Sequence, residues 1–565
     1  MGVDEQTAAA PPQATNNTCS QKVKARIKKH WTVPPKHRTP EQDEAEEHLI
    51  TFYLGKNRYL SVARIKFSRW YLFFASFLVQ FCIGSLYSWS VFNKPIDLHV
   101  YGTVKAEKAV NAFYTAVGVF GTTTAIMGPW IERHGPRAGV VLGTTAFLIG
   151  NIIVAISLHF EAIAGVYIGY GIFCGFGMGL CYISPVSALQ KWFPDYRGTA
   201  AGFAVGGYGA GSVVWGKAYL PIIEQVGLSS TFLVVGFVMA TTMYICAIVL
   251  RSPHHEFTVS GLNIHGEAVE EAEEAARRGE KLSVMSAHEY ESITTPSAKD
   301  MQDIVDPSTS ANTQVRKLTL IGAIKTIDFM FMYIMFFANQ LFGLIVLSKL
   351  SSMCVDLFGK TAGQGADIVS INGVFNCCGR LLFPAISDVL IRLLKVEPAQ
   401  GRKIIFHYTL ASQMFIVGTI PYLIRHEKYT LFCIEVFILT ASYGGGFGTI
   451  PCFLTDMFGA YNIGAMHGLI LTAWSIGGVA GGITFNSAFR NAIAVGTSAG
   501  EAYINNIHKI FVVVIIGFFV IFLVRTNPND RFAPGYRYSI CGKTVINIKS
   551  KKQQQDQDAL LLSPA

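Results

Sequence analysis

Twelve blocks of predominantly apolar residues, each about as long as a bilayer is thick, dominate this chain, at about 70–93, 109–131, 138–158, 162–188, 199–223, 230–250, 327–348, 368–391, 403–424, 430–457, 464–488 and 508–525. About 20 apolar residues carry a helix across the hydrocarbon core. In lipid every backbone N–H and C=O must be paired internally, so open blocks of this length have to be helices. The expected fold is an all-α membrane protein with twelve transmembrane helices. Only 15% of the residues are charged, against about a quarter in soluble domains.

The blocks fall into two groups of six, separated by a polar insert. The expected organisation is an N-terminal tail (1–66), a six-helix half (67–251), a linker (252–325), a second six-helix half (326–526) and a C-terminal tail (527–565). The insert contains "EAVEEAEEAARRGE" and a Ser/Thr/Asp-rich stretch, which reads as a short surface helix followed by a flexible tether. The opening residues lack a basic region followed by an apolar core, so no signal peptide is expected.

The net charge of +9 does not point to nucleic acid, because the basic residues sit in the tails and alternate loops. Lys22, Lys24, Arg26, Lys28, Lys29, Arg58, Arg64, Lys66 and Arg69 precede the first block. Arg133 and Arg137, Lys191 and Arg197, and Arg392, Lys395, Arg402 and Lys403 lie in loops on the same side. That asymmetry places both termini and the linker in the cytoplasm. Eleven scattered cysteines form no metal-binding pairs, and no cofactor or metal is expected.

The halves repeat. Pro185, Gly198, Gly202, Gly211 and Gly216 match Pro451, Gly464, Gly468, Gly477 and Gly482 at one offset of 266. Parallel six-helix repeats with a site between them at mid-membrane are a transporter architecture. Small residues four apart (Gly202 and Gly206, Gly207 and Gly211, Gly477 and Gly481) allow close helix approach. They serve either as surfaces that slide between open states or as static packing.

The loop "GPWIERHGPR", residues 128–137, has a counterpart in "PAISDVLIR", residues 384–392. Both resemble the loop signature of the major facilitator superfamily, in which an acid and following bases form charge contacts at the cytoplasmic end. The resemblance implies a gate made of Glu132, Arg133, Arg137, Asp388 and Arg392. Positive-inside charge alone accounts for the bases but not for the matched acids.

"GSLYSWSVFNKPI", "SPVSALQKWFPDYRGTAAG" and "NCCGRLLFPAISD" further resemble the oxalate/formate antiporter and monocarboxylate transporter branches of that superfamily. Arg380, in the third segment, lies eight residues and on the order of 12 Å deeper than Asp388. An arginine there costs at least about 2.5–3.5 kcal/mol, and its planar fork matches a carboxylate. The resemblance implies that Arg380 binds the substrate carboxylate. Where the oxalate carriers place a second cation, in the eleventh span, this chain has Trp474, whose repeat partner is Tyr208. One cation lined by aromatics suits a monocarboxylate. Animal monocarboxylate carriers use a first-span lysine as proton site; here only Lys94, near the far end, is available.

Tyr87, Trp89, Asn376 and Gln340 are further candidates for substrate contact, and Glu435 and His467 for proton coupling. The expected function is secondary transport of small monocarboxylates of the lactate, pyruvate or formate type, by proton symport or anion exchange. A carrier of another organic anion, such as oxalate or an amino acid, and a transport-dead receptor are the alternatives. An enzyme is not expected, since no nucleophile, base or metal cluster is combined within the spans. The expected partners are the carboxylate, protons and the bilayer, and not nucleic acid. The tail motif "DQDALL" resembles an acidic dileucine sorting signal, which fits the plasma membrane or an endosomal compartment.

Overall fold

The computed structural model describes residues 19–33, 39–55, 58–103, 106, 108–254, 257–266, 269 and 318–548 apart from 534, 541 and 542. The proposed surface helix and tether of the linker, and the dileucine motif, lie outside the described residues.

Among the described residues, eleven helices are long and apolar enough to cross a membrane: Arg69–Ser88, Val110–His134, Pro136–His159, Ile163–Trp192, Leu228–Val249, Ile327–Val346, Gly363–Leu393, Pro398–Arg425, Tyr429–Phe458, Ile463–Ala494 and Ala499–Leu523. A further 30-residue helix, Arg197–Val226, completes the expected twelve. Glycines dilute its apolar character, since a glycine buries backbone but no side chain. In chain order these are the first to twelfth spans, with Arg197–Val226 the fifth.

Several helices outrun the apolar blocks. The helix carrying the seventh span continues to Phe358. That of the eighth begins at Ala362, where Thr361 and Gln364 form a reciprocal capping box. The bilayer fixes the apolar length, whereas capping chemistry fixes where the helix ends.

The two halves meet along two seams, second span on eleventh and fifth on eighth. The glycine pairs divide between them. Gly202 and Gly206 face the eighth span across the halves: an added Cβ would lie 2.7 Å from the Arg380 carbonyl oxygen and 2.7 Å from Leu381 Cδ2, respectively. Gly207 and Gly211 instead press against the Phe77 and Phe81 carbonyls of the first span, and Gly481 against Leu341 of the seventh. Those pairs pack within one half.

The tails carry structure that the apolar pattern did not announce. Strands His48–Gly55 and Arg58–Lys66 form an antiparallel hairpin, as do Tyr536–Ile540 and Lys543–Ile548. Each hairpin docks on its own half through two basic residues. Arg137 donates to Thr51 O (2.9 Å), and Arg251 to Glu46, His48 and Leu49 carbonyls. In the second half, Lys403, offset from Arg137 by the repeat distance of 266, reaches Tyr538 Oη at 3.0 Å. Arg525 lies over the Tyr536 ring while its guanidinium pairs with Asp328 (2.7 Å).

Candidate functional site

The eighth span is drawn against the tenth by the glycines of "GGGFG", residues 444–448. A Cβ on Gly444 would meet Asn376 O, and one on Gly448 would meet Arg380 O. This approach fixes the Arg380 backbone between the halves and leaves its side chain fully buried. Its Nε donates to Asn376 Oδ1 at 2.8 Å, one helical turn back. Nη1 and Nη2 have no hydrogen-bond partner. The guanidinium carbon lies 4.5 Å from the Phe447 ring centroid, 5.3 Å from Tyr208 and 5.9 Å from Tyr87. Cation–π contact offsets part of the burial cost, at about 2 kcal/mol or more for a desolvated pair. It does not satisfy the two free donors.

Those donors adjoin a cleft lined by Tyr87, Phe120, Tyr182 and Tyr208 from the first half and by Arg380, Phe447 and Trp474 from the second. The empty space amounts to about 170 Å³, none of it wide enough for a water-sized sphere. Tyr87 and Tyr443 share a hydrogen bond of 2.7 Å between their hydroxyls, and Trp474 Nε1 donates to Tyr443 Oη at 3.1 Å. The hydroxyls of Tyr182 and Tyr208 are buried without a partner, and so are both ring nitrogens of His467. The His467 ring lies 5.8 Å from that of Tyr182. The lining thus carries one cation, no carboxylate and unpaired polar groups.

The structure brings together Arg380, Asn376, Tyr87, Tyr208 and Trp474, with His467 behind Tyr182. It does not bring Trp89, Gln340 or Glu435 to the cleft. Trp89 follows Tyr87 by two residues at the end of a 3-10 turn, Gly84–Ser88, which rotates it roughly 240° away, so with Tyr87 facing in, Trp89 faces out. Its ring stacks on Tyr170 at 3.9 Å and its Nε1 donates to Ala109 O. Gln340 spends its amide on Asn339 Oδ1 (2.7 Å) and Glu435 accepts from Thr419 Oγ1 (2.9 Å), both within the second half. Sequence reading missed Phe120, Tyr182, Tyr443 and Phe447. For two of these a signal existed, since Tyr182 and Phe447 lie about one turn before the matched prolines Pro185 and Pro451.

At the end of the bundle that carries the basic loops, each matched acid caps a helix of the opposite half. Glu132, at the end of the second span, accepts from Gly464 N (2.6 Å) at the start of the eleventh, from Ser187 Oγ (3.1 Å) and from Lys191 Nζ (2.5 Å). Asp388 of the eighth span accepts from Gly198 N (3.0 Å), Thr199 N (2.6 Å) and Thr199 Oγ1 (2.7 Å) at the start of the fifth, and pairs with Arg402 at 2.6 Å. Two negative charges therefore sit on two positive helix ends. Asp456 of the tenth span joins Arg197 (2.8 Å) to Arg402 (3.0 Å). Arg392 reaches across the halves to Asp195 O and lies over the Tyr196 ring at 3.5 Å. Arg133 and Arg137 are not part of this cluster. Arg133 donates to the carbonyls of Lys29, His30 and Thr32, and Arg137 to Thr51 and Ile248, so both hold the N-terminal segment and the first half. The bases of the cluster are Lys191, Arg197 and Arg402.

Two repeated six-helix halves, closed around a buried cation and bridged by charge at one end, are the architecture of a membrane transporter. The chain belongs to the Major Facilitator Superfamily, whose family model matches residues 69–482, and it is a multi-pass membrane protein. It is 21% identical over 418 residues to an uncharacterised superfamily transporter, YhjX of Escherichia coli K12, covering 73% of this chain and 86% of that one. It is 27% identical over 191 residues to the oxalate:formate antiporter of Oxalobacter formigenes, covering 33% of this chain and 43% of the relative. With monocarboxylate transporter 9 of Pongo abelii it shares 26% identity over 185 residues, 32% of this chain and 35% of the relative. Among solved structures, a bacterial homologue of the iron transporter ferroportin in its outward-facing state matches with a TM-score of 0.55 at 11% identity, covering 80% of this chain and 98% of that one. The proton:xylose symporter XylE matches with 0.53 at 16% identity, covering 79% and 94%. These likenesses share the fold.

Proposed function

We propose that the chain carries small monocarboxylates across a membrane, with Arg380 as the carboxylate-binding residue. One observation carries the reading: a fully buried guanidinium whose Nη1 and Nη2 lack partners, in a lining without any carboxylate. A carboxylate presents two oxygens at the spacing of that fork. Oxalate, a dianion, calls for a second cation, and Arg380 is the one charged residue of the lining. The partial likenesses to an oxalate:formate antiporter and to monocarboxylate transporter 9 agree with this substrate class. The unpartnered Tyr182 and Tyr208 hydroxyls favour acids with a second acceptor, such as lactate or pyruvate, over formate.

Exchange is the favoured mode. Closing the empty site leaves the guanidinium uncompensated, whereas the anion-loaded site is neutral, so reorientation is faster when loaded. His467 is the titratable group beside the lining that proton symport would use. With both termini cytoplasmic, the charge cluster of Glu132, Asp388 and Asp456 closes the cytoplasmic gate, and the plasma membrane is the proposed location. The test is uptake of labelled lactate, pyruvate, formate and oxalate into proteoliposomes, with and without unlabelled acid inside. Monocarboxylate uptake accelerated by internal monocarboxylate is expected. No uptake of any of the four would refute the reading and move a receptor role ahead.

A further inference from the structure

The helix Cys19–His30, "CSQKVKARIKKH", carries five Lys or Arg residues and no acid. It is held against the bundle at its C-terminal end. Arg133 donates to the Lys29, His30 and Thr32 carbonyls, at and just beyond that end. His30 Nε2 is 2.7 Å from Ile126 O, and Val33, just beyond, is buried at 3% exposure.

The depth of that contact matters. Ile126 lies eight residues inside the end of the second span at His134, roughly 12 Å along the helix axis. Its side chain, 51% exposed, is on the outer wall of the bundle where acyl chains would lie. Val23, Ile27 and His30 are spaced i, i+4, i+7 and share one face of their helix. Val23 (49% exposed) and Ile27 (56% exposed) lie uncovered on the same helix face as His30, which meets that wall. The exposed Lys24, Arg26, Lys28 and Lys29 occupy the remaining arc.

We infer that this helix lies in the membrane interface and binds the anionic phospholipid headgroups of the leaflet beside the charged gate. An apolar face at the acyl boundary flanked by cations is the chemistry of an interfacial amphipathic helix. Each cation near an anionic surface strengthens the association by roughly fivefold. Arg133, next to Glu132 in the second span, links the helix to the gate region without joining the ion-pair cluster.

The experiment places the full chain in nanodiscs of phosphatidylcholine alone or of phosphatidylcholine mixed equally with phosphatidylserine. Trypsin cleavage after Lys24, Arg26 and Lys28 is followed by mass spectrometry. We expect cleavage slower by on the order of tenfold or more in the mixed discs, given several cations at the surface, with protection weakened by high salt. Ile27→Asp and the double variant Lys24→Gln/Arg26→Gln should each lose most of the protection. Soluble glycerophosphoserine added to phosphatidylcholine discs should protect nothing. Equal cleavage in both lipids overturns the inference, as does protection that survives both variants or is reproduced by the soluble headgroup.

Discussion

Replacing Asp388 by asparagine removes one charge from the seam between the halves and leaves the shape nearly unchanged. Asp388 receives two backbone N–H bonds and one hydroxyl bond from the start of the fifth span and pairs with Arg402. Hydrogen bonds to a charged group contribute about 1.5–3 kcal/mol each, against about 1 kcal/mol for neutral ones. An amide keeps one acceptor and turns an N–H toward donors. Arg402 stays paired with Asp456 at 3.0 Å, so the cost of about 3–5 kcal/mol for an orphaned buried charge does not arise in full. The closed gate should lose about 2–3 kcal/mol, which multiplies the open-to-closed ratio by roughly 30–150. Cys452 reports it. This fully buried thiol is four residues from Asp456 on the tenth span, about 6 Å deeper. Alkylation with N-ethylmaleimide, quantified for Cys452 by peptide mass spectrometry, should accelerate by that factor up to the limit of a fully open gate. An unchanged Cys452 rate in a variant of unchanged thermal midpoint would refute the view that Asp388 holds the gate.

Glu132→Gln should open the same gate. Because Glu132 and Asp388 share no partner, the two effects on Cys452 labelling should add within about 0.5 kcal/mol; strong coupling would mean that the two ends of the cluster do not act independently. Tyr182→Phe removes an unpartnered hydroxyl, so thermal stability should hold or rise, while KM for lactate and pyruvate rises about 5–10-fold, the worth of one hydrogen bond of about 1–1.4 kcal/mol, and acetate is unaffected. Gly202→Ala should slow transport by obstructing closure of the halves while the protein stays folded, whereas Gly207→Ala should chiefly lower the thermal midpoint. Glu435→Gln should leave the proton dependence of uptake unchanged, since its carboxylate is committed to Thr419.

Much of the architecture was legible because lipid leaves the backbone few choices: apolar blocks of bilayer length mark most of the helices, and the 266-residue offset marks the repeat. The burial of Arg380 was legible for a related reason, as a charge inside an apolar block needs a physical cause. The aromatic lining was far less so. Phe and Tyr are common throughout these spans, and only the helical phase around Tyr87 separates a lining residue from an outward one such as Trp89. The gate shows how sequence proximity misleads. Arg133 and Arg137 lie beside Glu132 in the chain, yet Glu132 faces Lys191 and the start of the eleventh span, contacts made by packing of the halves. The hairpins of the tails contain no apolar block of bilayer length, although "HLITFYLG" and "RYLSVARIK" carry the β-branched and aromatic residues that strands favour.

The most direct test of the account is exchange of labelled lactate and pyruvate by Arg380→Gln beside wild type, with folding verified by thermal midpoint. Glutamine keeps a polar chain near Asn376 but offers no charged fork. Losing one partner of a buried, hydrogen-bonded charge pair costs about 2–5 kcal/mol, so exchange should fall by roughly 30-fold or more at any substrate level below saturation. A folded Arg380→Gln that exchanges monocarboxylates with wild-type KM and rate would contradict the central claim.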